Sequence, residues 1–260
     1  STNFTVLALF AVFLLAFFFT VPHDWLATPL GRTVLELEST VLADLLADVF
    51  GFEMLQVGHW GEAARLSESA RTQHHWWVAP DAHGKGAVRA HYDSLPFASS
   101  SIEAVLLPHT LEIAPNPHEL LREVERVLHG EGHLVICGFN PLGPWGLRHM
   151  LGRRPFPPPV DRLLAEGRIR DWLRLLGFEV VVARRYLFAP PWARRVTGNS
   201  SGWLERRGPD LLAPLAGAYV VKALKASFGL PEEKVRVIQA VTGGGFGGKE
   251  EYPNVICAHA

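Results

Sequence analysis

Cysteine is nearly missing from this 260-residue chain, which holds only Cys137 and Cys257. Neither lies in a Cys-x-x-Cys pattern, and Cys137 falls within an apolar run, so neither a disulfide framework nor a structural zinc site is expected. A surplus of either charge is missing too: 25 Lys and Arg stand against 26 Asp and Glu, a net charge of −1. No excess of positive charge is there to draw in nucleic acid. Basic residues do gather locally, at Arg148, Arg153 and Arg154, at Arg184 and Arg185, and at Arg194, Arg195, Arg206 and Arg207. That scatter reads as a solvated face rather than a phosphate groove. The twelve histidines are dispersed, with no His-Glu-x-x-His pattern. His74 and His75 are the one adjacent pair, and neighbouring strand positions point to opposite faces, so metal catalysis has little support. What is present is apolar residues at 48% and charged residues at 20%, the balance of a globular protein. The length suits one large domain, or one domain with extensions.

Three stretches differ in character. Residues 1–21 include an almost wholly apolar run, Phe4–Val21, broken only by Thr5 and Thr20. As a helix it would reach about 27 Å, close to the ~30 Å hydrocarbon core of a bilayer. It is a candidate membrane anchor; a trimmed secretory signal and a joined fragment stay open as rivals. Residues 22–225 alternate strand-like and helix-like segments. The spacing of Val34, Leu35, Leu37, Val41, Leu42, Leu45, Leu46 and Val49 predicts a helix over Thr33–Phe50. Short strands are expected at Met54–Val57, His75–Ala79 and Ala87–Tyr92, and a buried parallel strand at Ile102–Leu107. A helix from Pro117 to Leu128, a strand at His133–Gly138 and a helix at Ile169–Leu176 follow. Phe178–Ala183 and Gly217–Ala223 are the last strand candidates. This alternation implies a parallel sheet covered on both faces. Residues 226–260 carry a strand-like Val235–Val241 and then a glycine run, Gly243–Gly248.

In an open parallel sheet, ligands bind at the carboxyl ends of the strands. Gln56-Val57-Gly58-His59-Trp60-Gly61 follows the first apolar run, and its glycines suit close backbone approach to a nucleotide-like ligand. A plain strand-to-helix turn fits equally well. Asp93-Ser94-Leu95-Pro96-Phe97 follows the third run. Asp93 can accept a hydrogen bond from an exocyclic amine such as that of adenine, with Leu95 and Phe97 as apolar walls, or it can be a turn former only. Pro108-His109-Thr110 ends the fourth run. His109 is the best-placed candidate base, although a histidine at a strand end also serves as a hydrogen-bonded wall. Arg122, Arg126, Glu119, Glu123 and Glu125 read as a solvated, ion-paired helix face.

Asp93–Phe97, Ile102–Glu112, Arg122–Leu128 and Gly130–Gly138, in that order and spacing, resemble class I S-adenosylmethionine-dependent methyltransferases. The likeness is greatest to the branch that includes ubiquinone and menaquinone biosynthesis enzymes. Trp25–Arg32, Phe139–Pro141 and Trp145-Gly146 also resemble a bacterial subgroup of that fold, so the likeness covers residues 22–225. It implies a Rossmann-like α/β fold with a mostly parallel seven-stranded sheet and helices on both faces. It implies S-adenosylmethionine as cofactor and a small-molecule or lipid-like methyl acceptor; the charge balance points to no nucleic-acid partner, and the expected location is cytoplasmic, with the N-terminal run as a candidate anchor. The resemblance places Gln56, Gly58 and Gly61 at the methionine part and ribose, Asp81 at the ribose hydroxyls, and Asp93, Ser94 and Leu95 at the adenine. Pro108 and His109 would line the cleft beside the sulfonium. Two departures stand out: Gln56 replaces the usual acid, and Trp60 stands where a second glycine is expected. They leave open a non-catalytic binding module with a degraded cofactor loop.

Gly243–Lys249 matches the spacing Gly-x-x-x-x-Gly-Lys, but Glu250 follows where Ser or Thr must hold magnesium, so an NTPase loop is rejected. Gly229–Val235, Gln239 and Gly243–Glu251 instead resemble part of the molybdopterin-binding subunit of xanthine dehydrogenases. Only a short piece of that subunit is matched. It reads as a joined fragment that carries no hydroxylase activity.

Overall fold

The computed structural model describes residues 25–61, 65–82, 86–152, 155–158, 160–192, 207–208 and 212–226. The first helix, α1 (Pro29–Leu46), starts where Thr28 Oγ1 accepts the Gly31 N–H at 3.1 Å and Pro29 occupies the first turn. It starts four residues before the predicted one, because the cap and not the apolar spacing sets its beginning. Its buried stripe runs Val34, Glu38, Leu42, Leu45 and Leu46, a helical period with one carboxylate set into it. Strands β1 (Phe50–Val57), β2 (Arg71–Ala79) and β3 (Ala87–Arg89) follow, then β4 (Ile102–Pro108) and a four-residue turn of helix, α2 (Thr110–Ile113). Next come α3 (Pro117–Val127), β5 (Leu128–Phe139), α4 (Pro144–Leu151), α5 (Glu166–Leu175), β6 (Phe178–Tyr186) and β7 (Ala218–Lys225).

The seven strands form one sheet in the order β3-β2-β1-β4-β5-β7-β6. All pairs are parallel except those of β7, which runs antiparallel to both β5 and β6. Alternation along the central strands divides the core. Leu55, Val57, Val105, Leu107, Leu134, Ile136 and Val221 pack under α3 and α5. Met54, Leu106, Val135, Cys137 and Val220 pack under α1. The expected Rossmann-like sheet, mostly parallel with helices on both faces, is the observed one.

The expected alternation of strand and helix is broken at one end of the sheet. Residues 58–70 join β1 to β2 with only a 3-10 turn, Arg65–Ser67, among those described. Residues 80–86 join β2 to β3, too short for the usual helical crossover. The first half of β2 is therefore left uncovered, and Phe50 and Phe52 of β1 are 60% and 59% exposed. Among the described residues no helix is long and apolar enough to cross a membrane; Phe4–Val21 lies outside them. The glycine run at Gly243–Gly248 also lies outside the described residues.

Candidate functional site

The parallel strands deliver their carboxyl ends to one edge of the sheet, where a cleft of about 180 Å³ opens between Pro80, His91, Tyr92, Asp93, Pro115 and Asn116. Pro80 follows β2, and Asp81 beyond it is 71% exposed, with His59 Nδ1 at 3.5 Å. Asp93 and Ser94 are exposed beside the cleft, and the Ser94 N–H donates to the His91 carbonyl at 3.3 Å. Burial, and then the charge of Asp81, push the Tyr92 hydroxyl up to about 12. Asp81 and the Tyr92–Asp93 turn thus meet in one electrostatic neighbourhood.

A clamp on α3 holds that turn. Glu123 accepts the Leu95 N–H at 3.0 Å, while Arg126 donates to the Leu95 and Phe97 carbonyls, each at 3.0 Å. Glu123 and Arg126 also pair with each other at 2.9 Å. The Arg126 guanidinium beside Glu123 holds its carboxyl below the ordinary carboxylate value. These two charges were expected on a solvated face; instead they shape the loop that carries Asp93. Their signal was their place one turn before the next strand, on the helix that faces the Asp93 turn. Leu95 itself is buried in the core with both peptide groups engaged, so it is no wall of the cleft.

The loop after β1 sits differently from its expected place. Gly58 adopts φ +104°, and a Cβ there would overlap Thr110 Oγ1, which donates to the Val57 carbonyl. Its N–H donates to the Val78 carbonyl at 2.8 Å and its own carbonyl accepts from Trp77 Nε1 at 2.9 Å. The close approach that requires a glycine here is made by Thr110. Gly61 turns the other way, toward Leu35 of α1, and lines a separate open cavity of about 900 Å³ with Arg32, Glu36, Arg65 and Leu66. Gln56 is buried on the α1 side, and its amide has no hydrogen-bond partner among the described residues. Pro108 is buried at the end of β4. Trp60 is fully buried beneath α1 with its Nε1–H on Glu38 at 2.7 Å, so its indole does not stand in the cleft.

His109 is 0% exposed and holds a left-handed backbone at φ +57° between β4 and α2. Its Nε2 meets Glu38 at 2.8 Å and its Nδ1 meets Glu112 at 2.9 Å. Its ring stacks on Phe139 at 4.2 Å and lies 4.4 Å from the Trp60 ring. Burial pulls the imidazole down, but the Glu38 charge and hydrogen bonds to Glu112 and Glu38 outweigh it and lift the group to about 9. Burial raises Glu112 above its ordinary value despite the cation beside it. Glu38 also accepts from Tyr186 Oη at 3.2 Å, and Glu112 accepts the Phe139 N–H at 3.0 Å. The expectation of a base beside the cleft thus meets a sealed cation, with both nitrogens occupied and no contact with solvent. It ties α1, β4, α2, β5 and β6 together at the edge that carries the cleft. Among the described residues no cluster of His, Cys, Asp and Glu has metal-ligand geometry.

The mostly parallel seven-stranded sheet with helices on both faces is the Rossmann-like class I methyltransferase fold. The family model described as a methyltransferase domain matches residues 61–136. The chain belongs to the family of the Escherichia coli uncharacterized protein YafS, to which it is 36% identical over 171 residues, 65% of this chain and 70% of that one. The Mycobacterium tuberculosis uncharacterized protein Rv2003c is 30% identical over 180 residues, 66% of this chain and 62% of that relative. A Thermotoga maritima structure described as a SAM-dependent methyltransferase, possible histamine N-methyltransferase, superposes with a TM-score of 0.55 at 17% identity. It covers 78% of this chain and 93% of that one, and shows the shared fold. S-adenosylmethionine is the cofactor of this domain family. A molybdopterin cofactor-binding domain model matches residues 216–260. Of those, Ala218–Lys225 form β7, fully integrated between β5 and β6.

The cleft fits the adenosyl part of that cofactor by its chemistry. Asp81 and Asp93 are exposed acceptors at neighbouring strand ends, suited to ribose hydroxyls and an exocyclic amine. Gly58 contributes no free peptide group to it.

Proposed function

We propose that this chain is an S-adenosylmethionine-dependent methyltransferase that acts on a small-molecule or lipid-like acceptor. The observation that carries the reading is Asp93 at the cleft, its turn clamped by Glu123 and Arg126, with the exposed Asp81 next after the Pro80 that lines the same cleft. The bound cofactor supplies an electrophilic methyl group on a sulfonium. Asp81 accepts from the ribose hydroxyls, and Asp93, with Ser94 beside it, from the adenine amine. Methyl transfer asks chiefly for positioning of the two reactants. His109 contributes as a positioning residue: its two carboxylate bonds fix the end of β4 and, through Glu38, the indole of Trp60 in the loop after β1. An acceptor that reacts through a lone pair already available needs no protein base; His109 is sealed from solvent, and His91 is the histidine that lines the cleft.

Titration of the full chain with S-adenosylhomocysteine by calorimetry tests this. Binding in the micromolar range is expected. Asp93→Asn and Asp81→Asn should each weaken it at least about tenfold, the loss of one charged acceptor, with the thermal midpoint nearly unchanged. No heat at millimolar ligand from folded protein would sink the reading. The buried, unpartnered Gln56 and the engaged Gly58 favour a second reading, a binding module without catalysis. Measurable affinity with no methyl transfer to any acceptor in a cell extract would select it.

A further inference from the structure

The peptide groups that follow Asp93 are closed to a ligand. The Ser94 N–H donates to the His91 carbonyl at 3.3 Å, the Leu95 N–H to Glu123 at 3.0 Å and the Phe97 N–H to the Leu95 carbonyl at 2.9 Å. Pro96 has no N–H to give. From Ser94 to Phe97 the backbone therefore offers a bound molecule no donor. The candidates for a donor are then the side chains that line the cleft. Pro80 and Pro115 carry none, and Asn116 commits an amide hydrogen to Glu119 at 2.9 Å. Tyr92 packs its ring against the core, and its hydroxyl stands in the field of Asp81. His91 is left, exposed at the cleft and with no side-chain hydrogen bond among the described residues.

His91 and Asp93 belong to one turn, closed by the Ser94-to-His91 bond, so the backbone fixes their places beside each other. That turn follows β3, while Pro80 follows β2 and Pro115 lies between the two helices that follow β4. Arg162 donates to the Pro115 carbonyl at 3.2 Å and holds that wall. The cleft volume of about 180 Å³ falls below the ~300–1,000 Å³ of pockets that enclose a drug-sized ligand. Two proline walls and that volume suit one flat ring system. On the turn beside it stand a carboxylate that only accepts and an imidazole that can donate, even when neutral. Adenine presents the matching pattern, an amine donor next to a ring-nitrogen acceptor. A purine with oxygen in place of the amine turns an acceptor toward Asp93.

We infer that His91 is a specificity-determining residue of this cleft, donating to the adenine ring nitrogen next to the amine from which Asp93 accepts. The inference rests on the cofactor reading above and deepens it: the two side chains of one turn together select a 6-aminopurine. A site built to pair both groups rejects the analogue that lacks one, because its own polar groups are then left unpaired. Tyr92 serves the other end of the nucleoside, toward Asp81 and the ribose.

Calorimetric titration of the full chain with S-adenosylhomocysteine and its 1-deaza, 7-deaza and inosyl analogues tests this. His91→Ala should weaken S-adenosylhomocysteine about fivefold, the loss of one hydrogen bond. His91→Gln, whose amide can donate, should restore most of that affinity. The unaltered chain should hold one of the two deaza analogues about fivefold less tightly than the parent. His91→Ala should not weaken that analogue further. The inosyl analogue should bind at least about tenfold more weakly, since Asp93 then faces an oxygen. Equal losses on the parent and on both deaza analogues would overturn the inference, because His91 would then act on the turn and not on the base. So would a parent affinity that His91→Ala leaves unchanged while Asp93→Asn lowers it; the cofactor reading would survive that result. No binding of S-adenosylhomocysteine to the folded chain would instead fell the cofactor reading, and this inference with it.

Discussion

The two faces of the sheet are built on different physics. The face under α3 and α5 is packed with Leu, Val and Ile; its charged contacts sit at the rim, in the Glu123–Arg126 clamp, and within it the Tyr219 hydroxyl donates to the Leu164 carbonyl with no charge buried. The face under α1 encloses Glu38, His109, Gln56 and Lys222 among its apolar residues. Cys137 and Tyr186 on that face are both pushed well above their ordinary values, by burial first and then by Glu38. The dry face provides cohesion that depends on shape and little on pH. The charged face fixes the geometry of the cleft edge, at a desolvation cost that only complete pairing offsets.

Removal of the central cation should give the largest effect. His109→Ala leaves Glu38 and Glu112 buried without their shared partner, and about 3–5 kcal/mol of stability should be lost. The pH dependence has a definite sign. A histidine raised from 6.5 to about 9 adds stability that is complete below 6.5 and fades as pH rises through about 9. Glu112, also raised, has linkage of the same sign, which sets in above its ordinary value of 4.5 and does not define the histidine's window. Urea denaturation of the unaltered chain should therefore weaken between pH 6.5 and 9.5, and the His109→Ala curve should be flatter. Parallel curves would mean that the imidazole is neutral at both ends of the range.

The dry face should respond to volume alone. Leu121→Ala on α3, fully buried, should cost about 2–5 kcal/mol. That loss should be the same at pH 6.5 and pH 9. A pH-dependent loss would show that the two faces are coupled through the sheet, and the contrast between them would fail.

How much of this was legible in the residues follows the same division. Periodicity located β4, α3, β6 and β7 to within a few residues, because each makes its buried stripe from locally spaced apolar side chains. Asp93 stood out as an acid after an apolar run, and Asp81 came from the family resemblance; the structure leaves both exposed. The cluster at His109 was not: its partners come from 71 residues upstream and three downstream, and Tyr186 joins through Glu38. No local pattern records a contact of that kind. Gly58 looked like a ligand-facing glycine, and only the chain path shows Thr110 in the space. The short links after β1 and β2 were countable in advance, yet the expectation of alternating helices obscured their meaning.

A smaller effect is expected from the clamp. Arg126→Met removes donors to the Leu95 and Phe97 carbonyls at a partly exposed site, so stability should fall by about 1 kcal/mol. The larger consequence should be in ligand affinity, several-fold weaker for S-adenosylhomocysteine, since the Asp93 turn loses its support. Unchanged affinity with normal folding would return Arg126 to the solvated face first expected of it.

Lys222 offers the finest distinction, since it is a buried charge on the α1 face that reaches the rim. Its side chain is 4% exposed, but its partner Asp48 is 68% exposed, and the pair lies beyond the His109 cluster. Lys222→Met would leave Asp48 free to return to water and only the Leu45 carbonyl short of a donor. The loss should be about 0–1 kcal/mol, within the range of exposed pairs. Asp48, held below its ordinary value mainly by that lysine, should move back up in the variant, as read by NMR titration. A loss as large as that of His109→Ala would show that burial of one partner suffices to make a charge critical. The small loss expected here places the requirement where both partners are sealed from water.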